Sequence, residues 1–203
     1  MKKLPELFER NRRWAAKVRE ENPGFFAALA KQQAPKYMWI GCADSRVPST
    51  TIVDLLPGEI FVHRNVANIV VNSDFNCLSA LQFAVEVLKV EHVMVVGHYG
   101  CGGVRAVMEK QELGLVDNWV GHVRDVQERH WDALEAIKDD QKRYDRLCEL
   151  NVLEQALNVC RSTVVRGAWK RRQEITVHGW IYDLNDGLIR DLGFCASGES
   201  DVP

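Results

Sequence analysis

The chain has 203 residues, 46% of them hydrophobic, and a formal charge of −2. That suits one domain with a sizeable core and leaves no basic field for nucleic acid or an anionic membrane. No apolar run approaches a membrane span. The opening MKKLPELFERNRRW is charged and lacks a signal-type apolar region, so the expected compartment is cytoplasmic, with the six cysteines (42, 77, 101, 148, 160, 195) reduced.

Leu4, Leu7, Trp14, Ala15 and Val18 recur at helical spacing between charged residues. Asn22-Pro23-Gly24 ends that amphipathic helix, and a short second one covers 25–30. Both precede the first core strand, so the apolar stripe of this arm, residues 1–34, has two possible partners: its own domain or a second subunit. Residues 37–41 form an apolar run closed by Gly41, read as a buried strand. Its carboxyl end, where open α/β sheets bind ligands, delivers Cys42, Asp44 and Arg46, then Val47-Pro48. Pro48, Ser49 and Thr50 look like a helix entry, and Thr51 with Asp54 resembles a capping box. After a Pro57-Gly58 turn, 59–63 reads as a strand running into Arg64-Asn65-Val66-Ala67-Asn68.

Ser73 or Asp74 can cap a helix striped by Leu78, Leu81, Val85 and Leu88. A strand over 91–96 ends in His98-Tyr99-Gly100-Cys101-Gly102-Gly103. Asp117 can cap a helix carrying Val123, Val126, His130, Leu134 and Ile137, and a charged break over 138–143 follows. The next helix has one stripe of Leu150, Leu153, Leu157, Cys160 and Val164 and a second of Val152, Ala156 and Val159, which predicts deep burial. Residues 175–182 alternate as a strand, and Asn185-Asp186-Gly187 turns it into a hairpin with 188–192. The small, polar tail 196–203 is expected to fray. The expected fold is a single α/β domain over 1–203, with a mainly parallel sheet, an antiparallel edge strand, flanking helices and an N-terminal helical arm.

The chemistry lies at two strand ends. Cys42 on one, with His98 and Cys101 on the other, can hold one metal ion. Zinc takes Cys sulfur and His nitrogen tetrahedrally, and a catalytic site keeps one position open. No fourth thiol or imidazole stands nearby in these loops, so the last position falls to water or to Asp44. Two thiolates cancel the ionic charge, so bound water should titrate above the ~7 of a three-histidine site. Activity should therefore rise toward alkaline pH. Asp44 and Arg46, two apart, can form a bidentate pair that keeps the carboxylate ionised; the alternative is a plain loop staple. Gly97-x-x-Gly100-x-Gly102-Gly103 is neither a dinucleotide fingerprint nor a Walker loop. CxxC is absent, which argues against a thiol redox protein. The other four cysteines have no ligand partner by spacing.

CADSRVP (42–48) and GHYGCGG (97–103) resemble the two signatures of beta-class carbonic anhydrases. The likeness extends through HRNVAN (63–68), ELGLVDNW (112–119), LCELNVLEQ (147–155) and HGWIYDLNDG (178–187). It implies a zinc enzyme interconverting CO₂ and bicarbonate through zinc-bound hydroxide, with Cys42, His98 and Cys101 as ligands and Asp44 with Arg46 as catalytic dyad. It also implies a homodimer, often a homotetramer, with the N-terminal helices embracing a second subunit. Phe61, Val66 and Phe83, with Gly102, are the candidate CO₂ pocket, and Gln33 matches a family glutamine that reaches in from the partner. Trp39, Arg64 and Tyr182 stand where bacterial members of similar sequence have an allosteric bicarbonate site. An arginine cation with indole N–H and phenol O–H donors suits a small anion. The implied switch moves Asp44 from Arg46 onto zinc at low pH or in bicarbonate. The alternatives are a carbon disulfide or carbonyl sulfide hydrolase on the same scaffold, and a non-catalytic zinc-stabilised domain with Asp44 as permanent fourth ligand.

Overall fold

The computed structural model describes residues 3–31 and 33–202, in two units, 1–34 and 35–203. In the first, helix α1 (Pro5–Glu21) meets the short helix α2 (Phe25–Leu29). The Trp14 and Phe26 rings pack edge to face at 5.7 Å, and the Arg19 guanidinium lies over Phe26. α1 buries none of its residues, and Leu7, Phe8 and Trp14 are exposed.

The second unit is built on a five-stranded sheet. Strands β1 (Tyr37–Cys42), β2 (Ile60–Asn65), β3 (His92–His98), β4 (Thr176–Tyr182) and β5 (Ile189–Ala196) lie in the order β2-β1-β3-β4-β5. The first three pairings are parallel; β5 pairs antiparallel with β4 at the edge. β1 and β3 are apolar on both faces, as parallel strands covered on both sides must be. Met38, Ile40, Val93 and Val95 belong to the main core. Trp39, Met94 and Val96 point to the other face, with Val47 and Ile60. From β1 the chain steps to β2 on one side, while β3 leads to β4 on the other. The gap between the carboxyl ends of β1 and β3 is thus the switch point where such sheets bind ligands.

The helices are α3 (Ser49–Ile52), α4 (Phe75–Gln82), α5 (Gly102–Met108), α6 (Leu115–Arg129), α7 (Trp131–Glu135), α8 (Asp140–Arg161) and α9 (Thr163–Lys170). α8 packs across β3 and β4. The approach is close at Gly97: a Cβ there would stand 2.4 Å from Val152 Cγ2. Asp74 caps α4, accepting from the Asn76 N–H at 3.0 Å.

Several local expectations change. The capping box at Thr51 and Asp54 does not form: α3 is one turn entered from Pro48, and Asp54 follows it with φ 50°. Gly114 precedes α6, and Asp117 sits in its first turn, where its carboxylate accepts the Leu113 N–H. The break over 138–143 is shorter than its charge suggested, because Asp139 caps α8 by accepting from Lys142 N. The helix striped to Val164 is two helices. Ser162 ends the first and its Oγ accepts the Val165 N–H to start the second. The Val152, Ala156, Val159 row is the fully buried one, while Leu153 and Leu157 are half-buried.

Candidate active site and metal centre

β1 ends on Cys42 and β3 on His98; Cys101 follows in the turn before α5. All three are buried, and one ligand atom from each lies within 4.8 Å of the others. The two sulfurs are 3.9 Å apart. Two Zn–S bonds of about 2.3 Å at a tetrahedral angle require ~3.8 Å. The His98 Nδ1–H donates to the Tyr99 carbonyl at 2.9 Å, which leaves Nε2 bare. Nε2 is one of two buried side-chain polar atoms without a partner among the described residues, the other being Asn68 Nδ2. A bare imidazole nitrogen aimed at two sulfurs at metal-spanning distance fits a zinc ion.

The two thiols share a hydrogen bond. The Cys101 hydrogen bond lowers Cys42 against the opposing effect of burial, and the Asp44 and Ala67 main-chain groups help. Cys101 is pushed well up by that same hydrogen bond and by burial. A second group, His63, Asp74 and Cys77, is also close-set. There the bare nitrogen of His63, Nε2, already takes the Asn65 amide N–H at 3.3 Å, and burial pushes Cys77 up to about 12. That set lacks the spare lone pair that His98 has.

Asp44 is held three ways by Arg46. The main-chain N–H and Nε both donate to Oδ1 at 2.9 Å, and an Nη donates to Oδ2 at 2.7 Å. The guanidinium beside it keeps the carboxyl well below the usual carboxylate range. Asp44 Oδ2 is 3.8 Å from His98 Nε2, at the edge of the ligand triangle. Arg46 also donates to the Gly100 carbonyl at 3.2 Å, tying the first loop to the second.

Arg64, Trp39 and Tyr182 share one face of the sheet. Arg64 is on β2 and Tyr182 on β4, with β1 and β3 between them. The Trp39 indole is fully buried, and Tyr182 packs at the margin of the same small core. Arg64 is spent on the loop: Nε donates to the Cys42 carbonyl at 2.9 Å and an Nη to the Asp44 carbonyl. Of the pocket candidates, Val66 lies beside the site, in contact range of Gly103, and is 39% exposed. Gly102 faces open space. Phe61 and Phe83 pack on each other at 5.9 Å. Phe61 pairs in register with Met38, four residues back from Cys42, so it lies ~13 Å down the strand from the ligands. Within one chain neither ring borders the metal group. Gln33, in the first unit, is exposed.

Sequence reasoning missed the groups that hold the ligands from behind. The Tyr144 hydroxyl donates to the Cys101 carbonyl at 2.6 Å, and the Ala67 N–H to Cys42 Sγ at 3.4 Å. Asn151 and Gln155, each 1% exposed, bond the main chain of 67–70. The signal was available: two amides one turn apart on the face of a helix predicted to be deeply buried.

Two strand ends that converge at the switch point of a parallel sheet define an α/β protein with a single-ion metal group at its ligand-binding edge. The chain belongs to the carbonic anhydrase family, whose sequence model matches residues 37–189, and it is an enzyme of that family. It is 45% identical over 187 residues to the carbonic anhydrase of Emericella nidulans, 92% of this chain and 82% of that one. It is 39% identical to that of Candida albicans over 79% of its own length, but spans 57% of that relative. Among solved structures, a Coccomyxa beta-carbonic anhydrase in complex with acetazolamide superposes with a TM-score of 0.93 at 38% identity, over 99% of this chain and 91% of that one. A tetrameric beta-carbonic anhydrase from Sordaria macrospora gives 0.90 at 38%, over 94% and 97%. The likeness to bacterial members in particular is not carried by these relatives; a Pseudomonas aeruginosa carbonic anhydrase is 34% identical.

Proposed function

We propose that this chain hydrates CO₂ reversibly to bicarbonate and a proton, with one zinc ion held by Cys42, His98 and Cys101. The observation that carries the reading is the bare Nε2 of buried His98 facing two sulfurs 3.9 Å apart. What zinc supplies when bound there is a lowered pKa for water, and so a nucleophile near neutral pH. Asp44, ionised by Arg46, accepts a hydrogen bond from the attacking water and points its lone pair at the carbon. Arg46 keeps the carboxylate on that bearing with its three donors. Gly102 leaves room for CO₂ beside Cys101, and Val66 gives it an apolar wall. The remaining pocket residues, Phe61, Phe83 and Gln33, serve if a second copy brings them in. The exposed apolar face of α1 and the tetrameric Sordaria relative support a homodimer or homotetramer with the arm laid on the partner. Six free cysteines support the cytoplasm.

Switching by bicarbonate through Trp39, Arg64 and Tyr182 is the finer part of the proposal. Its active arm is Asp44 on Arg46; in the other, the carboxylate leaves those donors for the metal. Arg64, bonded to the Cys42 and Asp44 carbonyls, is the residue through which an anion would move the loop. Zinc analysis with rapid-mixing CO₂ hydration at pH 7 and pH 9 tests the whole. One zinc per chain and faster turnover at the higher pH are expected, both lost in His98→Ala. A zinc-loaded protein without turnover at either pH would leave only a structural site. Tyr182→Phe and Trp39→Phe should relieve bicarbonate inhibition; unchanged inhibition removes the switch and leaves the catalyst.

A further inference from the structure

Ala67 and Asn68 are consecutive non-glycine residues in the left-handed region, with φ of 62° and 48°. Both are buried. Such a conformation costs of order 1 kcal/mol or more per residue and persists only where its surroundings impose it. Here they do so through α8. The Val70 N–H donates to Gln155 Oε1 at 2.9 Å, Gln155 Nε2 to Asn151 Oδ1 at 3.0 Å, and Asn151 Nδ2 to the Ala67 carbonyl at 2.9 Å. The two main-chain ends fix the direction: a donor at Val70 and an acceptor at Ala67 leave each amide one orientation. The same peptide segment then turns the Ala67 N–H onto Cys42 Sγ at 3.4 Å. From the other side, Trp119 Nε1 donates to the Val66 carbonyl at 2.8 Å, and a Cβ on Gly103 would come within 3.1 Å of Ala67 Cβ. The loop has little room to relax.

We infer that Asn151 and Gln155 are positioning residues for the metal centre: they clamp Ala67 left-handed so that its N–H draws electron density from the Cys42 sulfur. This rests on Cys42 being a metal ligand. A hydrogen bond to a coordinating thiolate reduces its donation to the ion, and partners one step behind the ligands shift metal affinity by about 10–100-fold. The device sets how strongly one of the two sulfurs screens the ion's charge. Asn158 donates to the Val70 carbonyl at 2.9 Å and to Gln155 Oε1 at 3.3 Å, so it joins the network at its far end, away from Asn151 and Ala67.

The test uses the full chain loaded with cadmium, read by the thiolate-to-cadmium absorption band and by chelator competition, with circular dichroism to confirm folding. Asn151→Asp sets an acceptor against the Ala67 carbonyl; it should shift the band and change cadmium affinity by about 10–100-fold. Asn158→Ala, which leaves the Val70–Gln155–Asn151–Ala67 bonds in place, should change both less than Asn151→Asp does. Glycine takes φ near 60° without steric cost, so Asn151→Ala should change affinity less in an Ala67→Gly background than alone. That pair carries the test if Asn151→Asp does not fold. Equal band and affinity in the wild type and a folded Asn151→Asp, or no rescue by Ala67→Gly, overturns the clamp and leaves the metal reading standing. A wild type that takes up no stoichiometric metal overturns both.

Discussion

Gly97→Ala is the substitution whose effect follows most directly from the packing. Gly97 precedes His98 on β3, and α8 lies against it. An added Cβ would stand 2.4 Å from Val152 Cγ2, about 1 Å inside ordinary contact, and 3.3 Å from Asn68 Oδ1. Val152 is fully buried and cannot swing aside. Overpacking of this kind costs about 1–3 kcal/mol. At roughly 2–4 °C per kcal/mol for a chain of this size, Tm should fall by about 2–12 °C. Val152→Ala alone removes two methyl groups from the core and costs about 2 kcal/mol. In the double mutant the new methyl occupies the space the old ones left. The pair should therefore be more stable than the sum of its parts by about 1–2 kcal/mol. Thermal unfolding of all four proteins at one concentration measures the cycle, and metal affinity gives a second readout because the strain is relieved next to His98. Costs that add within ~0.5 kcal/mol would show that α8 and β3 do not meet as described.

Other outcomes follow from the same contacts. Asp44→Asn should keep its metal and lose turnover about 100-fold or more, as removal of a positioned proton acceptor does. Because Arg46 lowers the Asp44 carboxyl in the fold, its contribution to stability is complete above the unfolded value of about 4 and is lost as pH falls through the folded value; none of it should disappear between pH 9 and pH 5. Burial pushes Cys77, Cys148 and Cys160 up to about 12. The fold holds those protons more tightly than the unfolded chain, so stability should decline as pH rises above 9. In the metal-loaded protein at pH 8 an alkylating reagent should label exposed Cys195 at once and those three only on unfolding. Tyr144→Phe removes one of two donors to the Cys101 carbonyl, which keeps the Arg105 N–H at 3.0 Å, and should cost about 0.5–1.5 kcal/mol by denaturant unfolding.

Much of the site was legible before the fold. Cys42, His98 and Cys101 could be grouped because each closes or follows an apolar run, and parallel strands place such ends on one edge. Asp44 and Arg46 could be paired by their chemistry, although what brings them together is a turn, with the Val47 N–H on the Asp44 carbonyl and the Arg46 N–H on the Asp44 carboxylate. Phe61 could not be placed this way, because an aromatic on a strand reads alike whether it lies at the ligand end or four residues below it; Phe83, in the helical segment after α4, packs on Phe61 and goes with it. Arg64 was legible as a cation, while its use on the Cys42 and Asp44 carbonyls depends on how a loop folds back over β2.

What the sequence by itself determined is the order of strands and helices, the parallel core with its hairpin edge, and the identity of the donors. Periodicity, turn residues and ligand chemistry are local, and they are written along the chain. The tertiary structure alone decided the tautomer of His98, the spacing of the two sulfurs and the left-handed turn at Ala67. Each depends on groups brought together from distant positions: the Tyr99 carbonyl against the imidazole, β1 beside β3, and the buried amides of α8 under the 67–70 loop. No single stretch of sequence contains both halves of any of them.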